Sequence, residues 1–414
     1  MASGRRVWLL TVAAIFACLM QTSAVNPMPN RRYALLLLVM QYFLAGLITV
    51  SNDVLNPFFK QVFGLSFVAA TAVQLCFFGA YLLFSLSASR LVARWGYQQT
   101  LIVACVLLAC GCGLFLPAAQ MGRFPYFLGA LLVLGTGLTV FQVAANPYSA
   151  FLGSADSAGS RMSILQAFYS LGTLVGPPLA TRMLMDTGAY DVNQLLLPYG
   201  ILAVVLIAMA VLTRVKPLPD TLHSSKSLPP ASASQRWQIG LGAAAIFCYV
   251  GSEISVGSSL LSIISNSGLG ISVAQAGVWV SVYWSGSLVG RLAGSLLFGR
   301  FRPASVLLAA SAVCACLLLL GMQLGGLSGI LALLALGIFN SVQFPAIFSL
   351  TLAGLDVQAN RASGYLVMAI SGGAVLPLLH GALADALGGL RPALVVPMVA
   401  YVLISTFALF RLRR

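Results

Sequence analysis

The polar stretch RVKPLPDTLHSSKSLPPASASQRW, from Arg214 to Trp237, divides an otherwise apolar chain into two parts of similar length. It is rich in proline and serine and has almost no apolar pattern, which is typical of a linker. Six apolar runs precede it and six follow it. Each run is about 20 residues long, enough to cross a hydrocarbon core of roughly 30 Å as a helix. The sequence therefore predicts an all-α polytopic membrane protein with twelve transmembrane helices.

Boundary signals at the ends of the apolar runs define the predicted spans. These are 34–55, 67–89, 99–119, 124–151, 161–185, 195–213, 238–261, 273–299, 304–324, 326–351, 361–386 and 392–410. The chain then divides into an N-terminal extension (1–30), a first six-helix bundle (31–213), the linker (214–237) and a second six-helix bundle (238–414).

The composition excludes the soluble classes of protein. Of the 414 residues 60% are hydrophobic and only 7% are charged, whereas soluble proteins carry about a quarter of their residues as charges. The net charge of +14 does not indicate nucleic-acid binding, because the basic residues stand in small groups at the ends of the apolar runs. A lipid bilayer is the expected surrounding, and we expect the protein to be a monomer.

The basic residues also predict the orientation in the membrane. If the chain alternates through twelve spans from a cytoplasmic Arg32, sixteen basic residues fall on the cytoplasmic side and four on the outer side. This bias follows the positive-inside rule. Both termini and the linker are therefore predicted to be cytoplasmic, in a multi-pass protein of the bacterial inner membrane.

Residues 1–25 do not fit this scheme. An arginine pair followed by VWLLTVAAIFACLMQTSAV is typical of a signal peptide or of an additional helix. Either one would place Arg31 and Arg32 outside, against the rule. A start at Met28 removes the conflict, and we expect the extension to be dispensable.

The two halves repeat each other at an offset of 200 residues. Five matched pairs carry this register: Asp53 with Glu253, Asp156 with Asp356, Arg161 with Arg361, Gly172 with Gly372, and Pro177 with Pro377. FQVAANP (141–147) and FNSVQFP (339–345) add a similar motif near the same offset. Parallel repeats of six helices are typical of transporters that bind substrate between the halves.

Several motifs, in order, carry a resemblance to a known family. They are NDVLNPFFKQVFGL (52–65), FQVAANPYSAFLG (141–153), RMSILQAFYSLG (161–172), YVGSEISVGS (249–258), GRLAGSLLFGRF (290–301) and FNSVQFPAIFSLTL (339–352). With the 6+6 plan and the basic linker, they resemble the fucose–galactose–glucose proton symporters of the major facilitator superfamily over about residues 31–410. The resemblance implies the major facilitator fold and proton-coupled sugar transport.

The sequence departs from this family at three positions. Ala93 stands where the loop after the second helix usually has an acid. Gln142 stands where the fucose symporter has a glutamate implicated in proton handling, and Tyr169 stands where it has an asparagine. The resemblance therefore implies that residue 142 carries no proton here, and that the sugar or its pose differs.

Acids within the spans are candidates for proton coupling. Only Asp53, Glu253 and Asp385 lie within or at the edge of a span. A carboxylate at a helix centre costs on the order of 2.5–3.5 kcal/mol, so it usually has a partner or a function. Together with the resemblance, this indicates that Asp53 and Glu253 couple transport to protons, whereas Asp385 is interpreted as a helix-end residue. The alternatives are a solvated acid at a helix end for Asp53, and for Glu253 a packing role bonded to Ser252, Ser255 or a neighbouring amide.

A sugar site needs amides, hydroxyls and an aromatic surface. The candidates are Asn52, Gln142, Asn146, Gln166, Tyr169, Asn340 and Gln343. The resemblance places Gln142 and Gln166 at cavity-facing positions. Trp279, Tyr283 and Trp284 are further candidates by residue type alone, and His380 is interpreted either as a buried neutral imidazole or as part of a proton path. For the second-half candidates, hydrogen bonding between helices is the alternative role of Asn340 and Gln343, and interfacial anchoring is that of the aromatic residues.

Nothing in the sequence indicates enzyme chemistry or a cofactor. HExxH, GxSxG and Walker motifs are missing, and all eight cysteines lie in apolar runs, where we interpret them as small buried hydrophobes rather than metal ligands or disulfides. The leading hypothesis is a proton-driven hexose importer that works by alternating access, with glucose or galactose as the favoured substrate. Fucose or N-acetylglucosamine symport and a proton-coupled sugar or drug exporter remain alternatives. So does a third class, a non-transporting membrane sensor or an intramembrane enzyme, although paired repeats with an acid in each half argue against it.

Overall fold

The computed structural model describes residues 29–65, 67–185, 191–219, 231–355 and 358–413, with only the backbone described at some helical positions, among them Asn52 and Asp53. These residues form twelve helices and no strand. The helices are α1 (Arg31–Phe63), α2 and α3 (the two parts of Phe67–Met121, which meet at Gly96), α4 (Phe124–Phe151), α5 (Ala158–Met185), α6 (Leu196–Val215), α7 (Ala233–Ser265), α8 (Val273–Leu297), α9 (Pro303–Gln323), α10 (Gly326–Asn340 and Gln343–Leu352), α11 (Ala359–Met368 and Gly372–Leu387) and α12 (Leu390–Ala393 and Val395–Leu412).

The helices have the lengths that membrane crossing requires. Among the described residues, nine helical segments are long and apolar enough to span a bilayer. One of them, Ala72–Met121, has 50 residues, more than twice the roughly 20 that one crossing needs. Gly96 divides it, because its φ of 77° is a conformation that favours glycine. The predicted loop between α2 and α3 is thus a tight reversal at one residue.

Capping explains two helix ends that differ from the predicted spans. The first helix continues beyond 55 to Phe63 and ends at Gly64, a left-handed residue whose N–H donates to the Lys60 carbonyl. The seventh begins at Ala233, before the predicted 238, because the Ser232 hydroxyl accepts from the Gln235 N–H and the Gln235 side chain accepts from the Ser232 N–H. Residues 220–230 of the predicted linker lie outside the described residues.

The same close helix crossings recur in both halves. A Cβ on Gly172 of α5 would lie 2.2 Å from the Phe43 carbonyl oxygen of α1, and a Cβ on Gly372 of α11 would lie 2.2 Å from the Phe247 carbonyl oxygen of α7. Only glycine permits this approach, which small residues commonly provide between membrane helices. The internal repeat predicted from the sequence therefore extends to the backbone packing.

Hydroxyl groups join the two halves near the helix ends that carry Arg161 and Arg300. In α5, Ser160 donates to the Ser295 carbonyl at 2.7 Å and Ser163 to the Arg291 carbonyl at 2.6 Å, both in α8. At a second contact between the halves, Ser363 of α11 donates to the Val143 carbonyl of α4 at 2.9 Å. We call these three bonds the serine seam. The serine seam closes the space between the halves at the helix ends that carry Arg161 and Arg300.

Candidate functional site

A cavity lies between the two halves, beyond the serine seam. The described residues that line it are Tyr42, Thr49, Phe77, Phe78, Tyr81, Phe141, Gln142, Gln166, Tyr169, Tyr249, Val250, Glu253, Ile254, Arg291, Phe344 and Ile370. Its volume is about 90 Å³, below the roughly 300–1,000 Å³ of small-molecule sites. A ligand of hexose size therefore requires the halves to move apart.

Neutral polar groups dominate the cavity wall of the first half. The amide of Gln142 on α4 donates to the Tyr81 hydroxyl of α2 at 3.1 Å, and its side chain is 8% exposed. Gln166 and Tyr169 follow on consecutive turns of α5. An amide offers both a donor and an acceptor, which are the partners that a sugar hydroxyl needs. Both predicted glutamines therefore reach the cavity.

The wall of the second half carries the charges. Glu253 on α7 is buried and accepts a hydrogen bond from the Tyr249 hydroxyl at 3.0 Å, one turn earlier on the same helix. The Tyr283 hydroxyl of α8 donates to the backbone carbonyl of Glu253 at 3.4 Å. The predicted packing partners Ser252 and Ser255 do not contact its carboxylate among the described bonds. Glu253 thus faces the cavity through a carboxylate with a single described donor.

Arg291 is a site residue that the sequence reasoning missed. It is one of the sixteen basic residues predicted on the cytoplasmic side, but its side chain is only 6% exposed and lines the cavity together with Glu253. Its Nη1 donates to the Gln166 carbonyl at 3.0 Å and to the Ser170 hydroxyl, both in α5. Its guanidinium also lies 5.7 Å from the centre of the Tyr169 ring. The available signal was its place several residues inside the predicted span, where a base is as unusual as an acid.

Three predicted sugar ligands instead join helices. The Asn146 Oδ1 accepts from the Tyr42 hydroxyl at 2.6 Å, and the Asn340 Oδ1 accepts from the Tyr401 hydroxyl at 2.7 Å. The Gln343 amide donates to the Cys314 sulfur at 3.3 Å. All three side chains are buried, and none lines the described cavity. For Asn340 and Gln343 this is the interhelical role that the sequence had left open, and sugar contact by all three residues stays a prediction.

The two predicted residues at the end of the first span are not settled by the described side chains. The side chains of Asn52 and Asp53 lie outside the described residues, although the backbone of α1 continues through them. Thr49, on the same helix, lines the cavity. The roles given to Asn52 and Asp53 therefore stay predictions.

The remaining candidates are not among the described residues that line the cavity. The Tyr283 ring packs edge-on against Trp284, with the centroids 5.2 Å apart, and Trp279 packs against the hydrophobic core. His380 is buried and its Nε2 bonds to the Leu390 carbonyl at 3.2 Å, whereas Asp385 is exposed. The described His, Cys, Asp and Glu residues form no cluster that could hold a metal ion.

The cysteines differ from the prediction that all are buried. Among the described ones, Cys105, Cys112 and Cys314 are buried, but Cys110 and Cys316 are exposed on the outer faces of α3 and α9. The prediction was wrong for these two, because an apolar helix in a membrane can expose small apolar side chains to lipid at no cost. The periodicity of a uniformly apolar run does not distinguish the core face from the lipid face.

Comparison with known proteins supplies the family context. A sequence model of the Major Facilitator Superfamily matches residues 36–376. A protein named glucose/galactose transporter from Brucella abortus is 38% identical over 389 residues, covering 92% of this chain and 94% of that protein. The L-fucose-proton symporter of Escherichia coli is 28% identical over 405 residues, covering 91% and 92%. A crystal structure of the Escherichia coli fucose:proton symporter superposes with a TM-score of 0.83 at 26% identity, covering 92% of this chain and 99% of that one.

Proposed function

Because this chain belongs to the major facilitator superfamily, we propose that it is a proton-coupled hexose symporter, with glucose or galactose as substrate. The observation that carries the proposal is the cavity between the halves, which has amides on one wall and a carboxylate beside an arginine on the other. The relatives support it, since the names they carry are glucose/galactose transporter and L-fucose-proton symporter.

Sugar recognition is assigned to the first half together with the aromatic lining. Gln142 and Gln166 offer donors and acceptors to hydroxyl groups, and Tyr169 adds a hydroxyl beside them. Phe141 and Phe344 supply apolar surface for a ring face from opposite halves. Because the cavity is smaller than a hexose, binding is coupled to separation of the halves, as alternating access requires.

Proton coupling is assigned to Glu253 in the second half and to Asp53 in the first. An ionised carboxylate inside a membrane protein is costly without a partner, whereas the protonated form is neutral and both donates and accepts a hydrogen bond. Glu253 lines the cavity, so water entering with the sugar can deliver or remove its proton. The change in charge at this residue is the event that the gradient drives.

Arg291 connects the proton to the movement of the halves. Its described partners are in α5 of the first half, while its own helix and Glu253 belong to the second. When Glu253 is ionised, the guanidinium is attracted toward the carboxylate within its own half. When Glu253 is protonated, the bonds to Gln166 and Ser170 are favoured instead. These contacts must break before the seam side of the cavity can open.

The sequence supplies the rest of the proposal. The first bundle (31–213) and the second (238–414) move as the two halves, joined by the linker (214–237), with both termini and the serine seam on the cytoplasmic side. The protein acts as a monomer in a bacterial inner membrane. Fucose and N-acetylglucosamine are alternative sugars, and proton-coupled export on the same fold is the alternative direction.

Uptake into proteoliposomes tests the proposal. Vesicles that contain the purified full chain and carry an imposed pH gradient should accumulate radiolabelled glucose or galactose, and added sugar should move protons detected by an internal pH dye. Collapse of the gradient with a protonophore should abolish accumulation but not equilibration. Sugar uptake that is independent of the pH gradient, or the absence of any sugar-dependent proton movement, would contradict symport.

A further inference from the structure

A groove on the outer surface of the second half lies apart from the sugar cavity. It runs between α8, α9 and α10 and has a volume of about 460 Å³. Ala293 and Ala309 are exposed within it, and the small size of these side chains leaves the space open. At its inner end α8 and α10 close together, since a Cβ on Gly290 would lie 2.0 Å from the Ile338 carbonyl oxygen.

The groove lining is apolar and accessible, unlike that of the cavity between the halves. Phe301 is 57% exposed, and Leu297 and Phe339 are each 38% exposed. In a bilayer these side chains face hydrocarbon. The groove spans the eight residues of α8 from Gly290 to Leu297, or about 10 Å along the helix. It therefore has the depth and the surface to hold part of an acyl chain.

Positive charge stands at the open end of the groove. Arg300 and Arg302 are exposed and flank Phe301, which lines the groove. Among the described residues, neither guanidinium has a hydrogen bond or an ion pair. The sequence from Ile254 to Leu355 contains no acidic residue, so no neighbour along this segment neutralises them. The α9 helix also begins here, with Pro303 in its first turn, and its N-terminal dipole adds to the positive field.

We propose that this groove binds an anionic phospholipid, with one acyl chain lying between α8, α9 and α10 and the phosphate held by Arg300 and Arg302. The positive charge at one end of the groove favours an anionic headgroup. The apolar lining of the groove favours a ligand in which an acyl chain is attached to that headgroup. A zwitterionic lipid with the same chains makes the same contacts in the groove, but the two arginines attract its headgroup less strongly.

Lipid titration followed by native mass spectrometry tests the proposal on the full chain. After delipidation, phosphatidylglycerol should bind at one saturable site more tightly than phosphatidylcholine with the same chains. An arginine near an anionic lipid typically contributes about fivefold to affinity, so R300Q/R302Q should weaken phosphatidylglycerol binding about 25-fold. Ala309→Phe should also reduce binding, because the larger side chain fills the groove while both arginines stay in place.

Two matched controls separate a site from general attraction. R90Q/R94Q removes the same charge from an exposed pair in the first half, and Val204→Phe enlarges a side chain that is 70% exposed on α6. Neither should change binding. Equal affinity for both lipids, or equal weakening by the two arginine pairs, would overturn the proposal. So would a protein dimer that Ala309→Phe dissociates, since a second copy of the chain would then be the occupant.

Discussion

The first half presents neutral amides to the cavity, whereas the second half presents a carboxylate and a guanidinium. Both halves pack their helices in the same way, since the close approach of Gly172 to the Phe43 carbonyl recurs at Gly372 and the Phe247 carbonyl. The difference therefore arises from side chains placed on a repeated backbone. The repeated packing thus presents neutral amides on one wall of the cavity and a carboxylate with an arginine on the other.

A second pair of residues shows divergence in a structural role. Arg161 is 0% exposed, and its guanidinium donates to the carbonyls of Ser149, Ala150 and Ser154 at 2.9, 2.7 and 2.9 Å. The first two oxygens lie in the last turn of α4, whose C-terminal end a cation stabilises, and the third lies in the loop that follows. Its repeat partner Arg361 is exposed beside Arg236 and lines a surface pocket. The same residue in the same register thus holds the loop together in one half only.

The largest expected effect is on sugar accumulation. It distinguishes which wall of the cavity carries the coupling proton. Glu253→Gln should abolish concentration of sugar by a pH gradient while leaving sugar exchange within about threefold of the parent, because glutamine resembles the protonated acid. Asp53→Asn should do the same if the first half also takes part. Accumulation and counterflow in proteoliposomes distinguish the two. If Glu253→Gln still concentrates sugar and Asp53→Asn only exchanges it, charge handling belongs to the first half.

The next effect is on stability and compares the repeat-related arginines. Arg161→Gln should lower the free energy of unfolding by about 3 kcal/mol, since several buried carbonyls lose their donors. Arg361→Gln should change it by no more than about 0.5 kcal/mol, as is usual for an exposed side chain. Thermal unfolding of the purified variants in one detergent measures both. Equal losses would show that the halves use this position alike.

Arg291 tests the connection between the walls. Arg291→Gln should shift the equilibrium about 30-fold toward the state open on the seam side, since a buried guanidinium that bonds to both Gln166 and Ser170 supplies roughly 2 kcal/mol to the closed state. Sugar accumulation in proteoliposomes should fall, because the charge of Glu253 then no longer controls that opening. Arg291→Lys should restore little, because an ammonium cannot reproduce the planar fork of donors. Arg90→Gln, which removes an exposed arginine, serves as the control. Full activity of Arg291→Lys would show that only the charge matters.

The fold could be predicted from the sequence more fully than the site could. Length and hydropathy suffice for membrane helices, because each must satisfy its own backbone within the bilayer. They do not say which face of a helix meets the cavity. Gln142 and Asn146 stand one turn apart on α4, yet one lines the cavity and the other bonds to Tyr42. The place of Arg291 several residues inside a predicted span indicated a functional charge, but it did not show that the side chain faces the cavity.

The smallest expected effect concerns sugar affinity and isolates the neutral wall. Gln142→Ala removes one amide and should weaken sugar binding about tenfold, equivalent to roughly 1.4 kcal/mol, without changing the proton dependence of transport. Gln142→Glu places an acid on the neutral wall, so binding should become pH-dependent between about pH 5 and 8, where a buried carboxyl can titrate.

Asn146→Ala is the matched comparison, since it removes an amide that bonds to Tyr42 and should cost stability more than affinity. Calorimetric sugar titration across that pH range measures the affinities. If both Gln142 variants bind sugar like the parent at every pH, the fourth helix does not contribute to the site, and the contrast between the walls disappears.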